Sequence, residues 1–184
     1  MEVAAEHTIG VAIPIPEPHG RELQNWREQF GDPLARQIPT HITLLPPTAV
    51  SEEALADIEE HLRSVAEAAQ PFTIHLRGTG TFRPVSPVVF VTLAEGIAGC
   101  ELLEADVRSG PLAHRRLDFA YHPHVTVAHD VAETMLEHAF DKLSGYDASF
   151  EVWGFSLYAH GLDGYWRPQR DFAFGGVVPQ IGQD

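Results

Sequence analysis

Two short segments combine residue types that move protons near neutral pH. His41-Ile42-Thr43-Leu44 and, 83 residues further on, His124-Val125-Thr126-Val127 share one shape: His, any residue, Thr, aliphatic. Each His closely follows a proline, Pro39 or Pro123. Alternate side chains of a strand point to opposite faces, so each His shares a face with its Thr while the aliphatic neighbours anchor the other. Two imidazoles suit a reaction in which one oxygen loses a proton and another gains one, and nearby hydroxyls suit the oxyanions that grow meanwhile. Opening a cyclic phosphodiester has those requirements. His41 and His124 are therefore the candidate acid and base, in an order the sequence leaves open, with Thr43 and Thr126 as donors to the phosphate oxygens.

The elements that must position these motifs repeat along the chain. Thr8 to Ile15 reads as a strand, stopped by Pro14, Pro16 and Pro18. Leu23, Trp26 and Phe30 recur at helical spacing up to Gly31-Asp32-Pro33, and Ile38 to Leu45 is a second strand closed by Pro46-Pro47. Ser51 is expected to cap a helix with Glu52 and Glu53 in its first turn and Leu55, Ile58, Leu62, Val65 and Ala69 as its apolar stripe. Phe72 to Leu76 and Val88 to Leu93 read as strands flanking a turn-rich link over 78–84, and a helix is expected over 97–109. Val125 to Ala128 is a further strand. Asp130 and Glu133 then resemble a capping box before a helix carrying Leu136, Ala139, Phe140 and Leu143. Phe150 to Tyr158 and Tyr165 to Phe174 predict a hairpin around His160–Gly164, followed by a loose tail after Gly175. The order is β-α-β-α-β, then β-α-β-α-β-β, and each motif falls in the second strand of its half.

Composition narrows the possible functions. Of 184 residues, 12 are Lys or Arg and 26 are Asp or Glu, a formal charge of −14 with no basic block, so an extended polyanion is repelled. A small nucleotide or a short RNA terminus remains compatible. The single Cys100 excludes an intrachain disulfide framework and fits a reducing compartment. Met1 to Glu6 holds two acids and no basic segment, and no apolar run approaches the ~18 residues of a membrane span. A cytoplasmic monomer is expected. Neither a P-loop, a GxGxxG turn nor a nucleophile elbow occurs, which disfavours the enzymes built on them.

The paired motifs, the run Pro39 to Pro47 and the run Tyr121 to Ala128 resemble the 2H phosphoesterase superfamily, in particular its 2′-5′ RNA ligase-like and cyclic phosphodiesterase branch. The likeness covers nearly the whole chain, extending to Phe82, to the strand Val88 to Val91 and to Tyr165-Trp166-Arg167. It implies an α+β, bilobal, duplicated fold: one domain over 1–184 in which two β-α-β-α-β lobes, approximately halves 1–84 and 85–175, are related by a pseudo-twofold around a central cleft. It further implies cleavage or formation of phosphodiesters at a ribose 2′-oxygen without metal or other cofactor. Several relatives carry an arginine shortly after the second motif, where this chain has His129.

Other residues could serve the same site. His122, His124 and His129 could in principle ligate a metal, but no carboxylate cluster accompanies them and the site would consume His124, so no metal site is expected. His122 is instead expected to support His124 or to line the cleft mouth, and His129 to face substrate. Phe82, Tyr121 and Tyr165 are candidates for stacking a base, and Arg36, with Arg83, Arg115, Arg116 and Arg167, for steering phosphate. The remaining histidines, His160 among them, read as surface or structural residues. The expected function is a metal-independent phosphodiesterase acting on a 2′,3′-cyclic or 2′-5′-linked small nucleotide or RNA end. A non-catalytic nucleotide-binding module and a 2′-5′ ligase are the alternatives.

Overall fold

The computed structural model describes residues 6–176. Eight strands and four helices occur in this span: β1 (Glu6–Pro14), α1 (His19–Gln29), β2 (His41–Ser51), α2 (Leu55–Ala68), β3 (Phe72–Thr81), β4 (Val88–Glu95), α3 (Ile97–Val107), β5 (Val125–His129), α4 (Glu133–Lys142), β6 (Asp147–Val152), β7 (Gly154–His160) and β8 (Trp166–Ala173). The strands form two four-stranded antiparallel sheets, β2-β1-β7-β8 and β5-β4-β3-β6. The fold is α+β with two lobes. The sequence halves interleave between the sheets: β3 belongs with β4, β5 and β6, and the closing hairpin β7-β8 completes the sheet begun by β1 and β2.

The helices form where apolar residues recur at three and four. Ile58, Leu62 and Val65 of α2 are buried, as are Leu136 and Ala139 of α4, with Leu143 just beyond it. Each of the Ile, Leu and Val side chains contributes roughly 1.5–3 kcal/mol on leaving water. Cys100 is buried in α3, and burial pushes its thiol up to about 12, so it is an inert core residue.

Several boundaries differ from the sequence-based expectation. β2 does not close at Pro46-Pro47 but runs on to Ser51, because it is an edge strand and its pairing with β1 is irregular at the prolines, where missing N–H groups cost no ladder bond. Ser51 makes no side-chain cap. It ends β2, and a 3-10 turn over Glu52–Ala54 precedes α2. Half of the expected link over 78–84 is strand, since β3 continues to Thr81 past an irregularity at Gly78, whose φ of +73° suits glycine. Asp130 does not cap α4, which starts at Glu133 with Ala132 at its N-cap, and α3 ends at Val107 rather than 109. The expected strand Phe150 to Tyr158 is two strands in different sheets. A Cβ on Gly154 would lie 2.3 Å from the Phe172 carbonyl oxygen, so only glycine allows the chain to approach β8 there after leaving β6. Met1 to Ala5 and the tail beyond Gly176 lie outside the described residues. Among the described residues no helix is long and apolar enough to cross a membrane.

Candidate active site

Both motifs lie at sheet edges. β2 is the outer strand of one sheet and β5 of the other, and the two adjoin. Cross-strand register pairs Thr43 with Ala12, Gly10 with Tyr158 and His160 with Trp166, so His41, Thr43, His160 and Trp166 share one face of the first sheet. Ile42, Leu44, Val11 and Ile13 anchor its opposite face in the core. In the second sheet Thr126 pairs with Phe90 and Phe90 with Gly80. The Phe90 ring lies across Gly80, where a Cβ would come within 2.6 Å of it.

The two imidazoles are held in the same way. His41 Nδ1–H donates to the Pro39 carbonyl at 2.6 Å, and His124 Nδ1–H donates to the His122 carbonyl at 2.7 Å. In each case the acceptor lies two residues upstream, which the local proline helps to set. With the proton on Nδ1, Nε2 of each neutral ring is the free acceptor. At His41 the Thr43 hydroxyl donates to Nε2 across 3.1 Å. Aromatic rings flank both: Trp166 lies 4.5 Å from His41, while Phe82 and Phe90 lie 4.9 and 5.2 Å from His124. Burial pushes His41 down to about 4, against the pull of the Pro39 carbonyl, with the charges of Arg27, His124 and His160 adding to the fall. Burial likewise lowers His124, opposed by the His122 carbonyl and aided by the His122 charge.

An ion pair not anticipated from the sequence stands beside them. Arg27 and Asp32 are buried, and Arg27 Nε donates to Asp32 Oδ2 at 2.7 Å. The same carboxylate accepts the Leu34 and His129 amides at 2.9 and 3.0 Å, so it ties the end of α1 to the motif-bearing strand β5. A cation four residues after Leu23, on the buried face of α1, is the sequence signal that could have found it.

The other predicted residues divide. Phe82 is brought to His124, and His122 contributes its carbonyl while its ring is exposed against Phe82 and Phe90. Tyr121 is partly buried, and its hydroxyl donates to the Thr43 carbonyl at 2.7 Å, a bond that joins the approach to one motif to the strand of the other. Tyr121→Phe is expected to lower stability by about 1 kcal/mol, read from the midpoint of urea unfolding. The His129 ring sits 3.4 Å from Asp130 at the end of β5. Tyr165 is exposed, with the Arg167 guanidinium 5.5 Å from its ring centroid. Arg36 is exposed and bound to Glu28. Arg83 is held by Glu133 and Glu137, Arg167 by Asp163, and Arg115 by Thr48 and the Pro47 carbonyl, so these cations form no open basic track. Among the described residues no three His, Cys, Asp or Glu side chains converge as metal ligands. His160 and Trp166, by contrast, lie at the site. The hairpin was legible in the sequence, but His160, expected in its turn, is the last residue of β7 and pairs with Trp166, and the contact of Trp166 with His41 crosses strands.

The family model of the 2′-5′ RNA ligase superfamily matches residues 15–164. A Bacillus cytotoxicus protein with a provisional phosphoesterase name is 34% identical over 131 residues, covering 71% of this chain and 73% of that protein. A similarly named protein of Bacillus thuringiensis is 27% identical over 169 residues, 91% and 96% of the two chains. Among solved structures, E. coli LigT complexed with 3′-AMP superposes with a TM-score of 0.70 at 21% identity, covering 92% of this chain and 99% of that one. TT0787 of Thermus thermophilus gives 0.65 at 24% identity, with 93% and 100% covered. With the family matched across most of its length, two imidazole motifs on adjoining edge strands and the two-lobed fold of LigT, this chain belongs to the 2′-5′ RNA ligase superfamily of 2H phosphoesterases.

Proposed function

We propose that the protein is a metal-independent phosphodiesterase that opens a 2′,3′-cyclic or 2′-5′-linked phosphodiester of a small nucleotide or RNA end by His41/His124 acid-base catalysis. The observation that carries this reading is the matched pair of Nδ1–H bonds to upstream carbonyls, which leaves two Nε2 atoms for proton transfer. In hydrolysis one neutral imidazole takes a proton from the attacking water while the other, protonated, delivers one to the departing ribose oxygen; the roles exchange in the reverse direction. When the phosphate binds, the Thr43 hydroxyl turns from His41 Nε2 and, with that of Thr126, donates to the non-bridging oxygens as their charge grows. Bound 3′-AMP and NADP+ in the related LigT structures are consistent with a nucleotide-sized ligand here.

The test is turnover of 2′,3′-cyclic nucleotides and 2′-5′-linked dinucleotides, with EDTA and with added Zn²⁺ or Mn²⁺. Turnover is expected to survive chelation, since two imidazoles supply both proton transfers without a Lewis acid. Activity lost on chelation and restored by one metal would overturn the mechanism, and nucleotide binding without turnover would make the cleft a binding module.

A pH dependence follows from the lowered imidazoles. In the empty cleft both rings favour the neutral form, so the alkaline limb of kcat/KM is expected below the ordinary imidazole value of 6.5, where the free enzyme loses its acid. A bound phosphate anion favours the imidazolium, so the alkaline limb of kcat should lie at higher pH. Coincident limbs in the two profiles would contradict this.

A further inference from the structure

A third imidazole lies on the same sheet face as His41. His160 pairs with Trp166 across the β7-β8 hairpin, their rings 4.1 Å apart, and Trp166 in turn lies 4.5 Å from His41. The Nε2–Cδ2 edge of His160 is seated on the bare backbone of Gly10, where a Cβ would come within 2.9 Å of Nε2. Nε2 is buried and has no hydrogen-bond partner. In either tautomer Nε2 is unpaired, but a buried orphan N–H is the costlier state than a buried orphan acceptor, which favours the proton on Nδ1, at the other edge of the ring. Burial also lowers the basicity of His160, which keeps it uncharged.

We infer that His160 is a specificity-determining residue of the cleft, presenting Nδ1–H to an acceptor oxygen on the sugar or base of the nucleotide whose phosphate lies between His41 and His124. The inference rests on the phosphodiesterase reading and names the part of the substrate that reading leaves unplaced. His160 stands one indole ring from His41 on the same sheet face, a place that the nucleoside portion reaches when the phosphate is at the imidazoles. An uncharged donor suits a sugar or base oxygen, and the free edge of the ring is the one turned away from β1.

The experiment compares wild type, His160→Phe and His160→Gln on the four 2′,3′-cyclic nucleoside monophosphates. Phenylalanine keeps an aromatic ring over Gly10 but removes the donor. It is expected to raise KM roughly tenfold with kcat changed less than about threefold, with glutamine restoring part of the loss. In wild type, ¹⁵N spectra are expected to show the Nδ1-protonated tautomer of His160 and a shift of that nitrogen when 3′-AMP is added. An unchanged KM, a loss confined to kcat, or an Nδ1 resonance indifferent to nucleotide would overturn the inference. Wild type inactive on every cyclic nucleotide and on 2′-5′-linked dinucleotides would instead overturn the phosphodiesterase reading, while the ¹⁵N response still reports on His160 by itself.

Discussion

Replacing His41 or His124 by alanine should lower turnover by about 10²–10⁴-fold while leaving the fold intact, because each substitution removes one of the two proton transfers. The two losses should not multiply in the double variant. Once one transfer is gone, the remaining imidazole has no concerted partner, and residual activity comes from binding and oxyanion stabilisation alone. Thr43→Val should cost less, since it deletes one neutral donor and the 3.1 Å bond to His41 Nε2 but neither imidazole. Steady-state kinetics on a 2′,3′-cyclic nucleotide, with circular dichroism to verify folding, check all of these. Near-normal turnover in either folded histidine variant would falsify the assignment.

The second large effect lies in the ion pair beneath the site. Asp32→Ala is expected to lower stability by about 3–5 kcal/mol, because it leaves the buried Arg27 charge uncompensated and strips acceptors from the Leu34 and His129 amides. Arg27→Met strands the opposite charge and should cost a similar amount. In the double variant Arg27→Met/Asp32→Leu no buried charge is left alone, so its loss should be well below the sum of the single losses. Urea unfolding of the four proteins completes the cycle. Additive losses, or a loss under about 1 kcal/mol for Asp32→Ala, would mean that the pair does not brace α1 against β5. Activity adds a second reading: if the pair sets the relation of the motif strands, Asp32→Ala should lose turnover even at temperatures where it is folded.

Local chemistry accounts for what could be read without a structure. The alternation of His41 with Thr43 and of His124 with Thr126 places each pair on one strand face whatever the rest of the chain does, and the apolar stripe of α2 at three and four dictates its buried side. The single negative field, the isolated Cys100 and the repeat of the two motifs are equally properties of the linear chain. Element boundaries were less legible. Pro46-Pro47 stops a strand only if the strand is internal, and whether β2 is internal depends on its neighbours. Likewise Phe150 to Tyr158 has the pattern of one strand, and its division between two sheets depends on the close approach of Gly154 to Phe172 from a distant segment. The same reason separates the candidate residues. That the Tyr121 hydroxyl is taken by the Thr43 carbonyl, 78 positions away, and that Arg36 lies against Glu28 could not be read from the linear chain. Arg27 and His160 carried no motif to mark them. By itself the sequence determined which side chains could do the chemistry and that each His would share a face with its Thr, because those follow from backbone periodicity. Only the tertiary structure decided that two edge strands meet, which ring nitrogens stay free and which cations are already paired, because hydrogen bonds and burial depend on partners that the chain brings together only on folding.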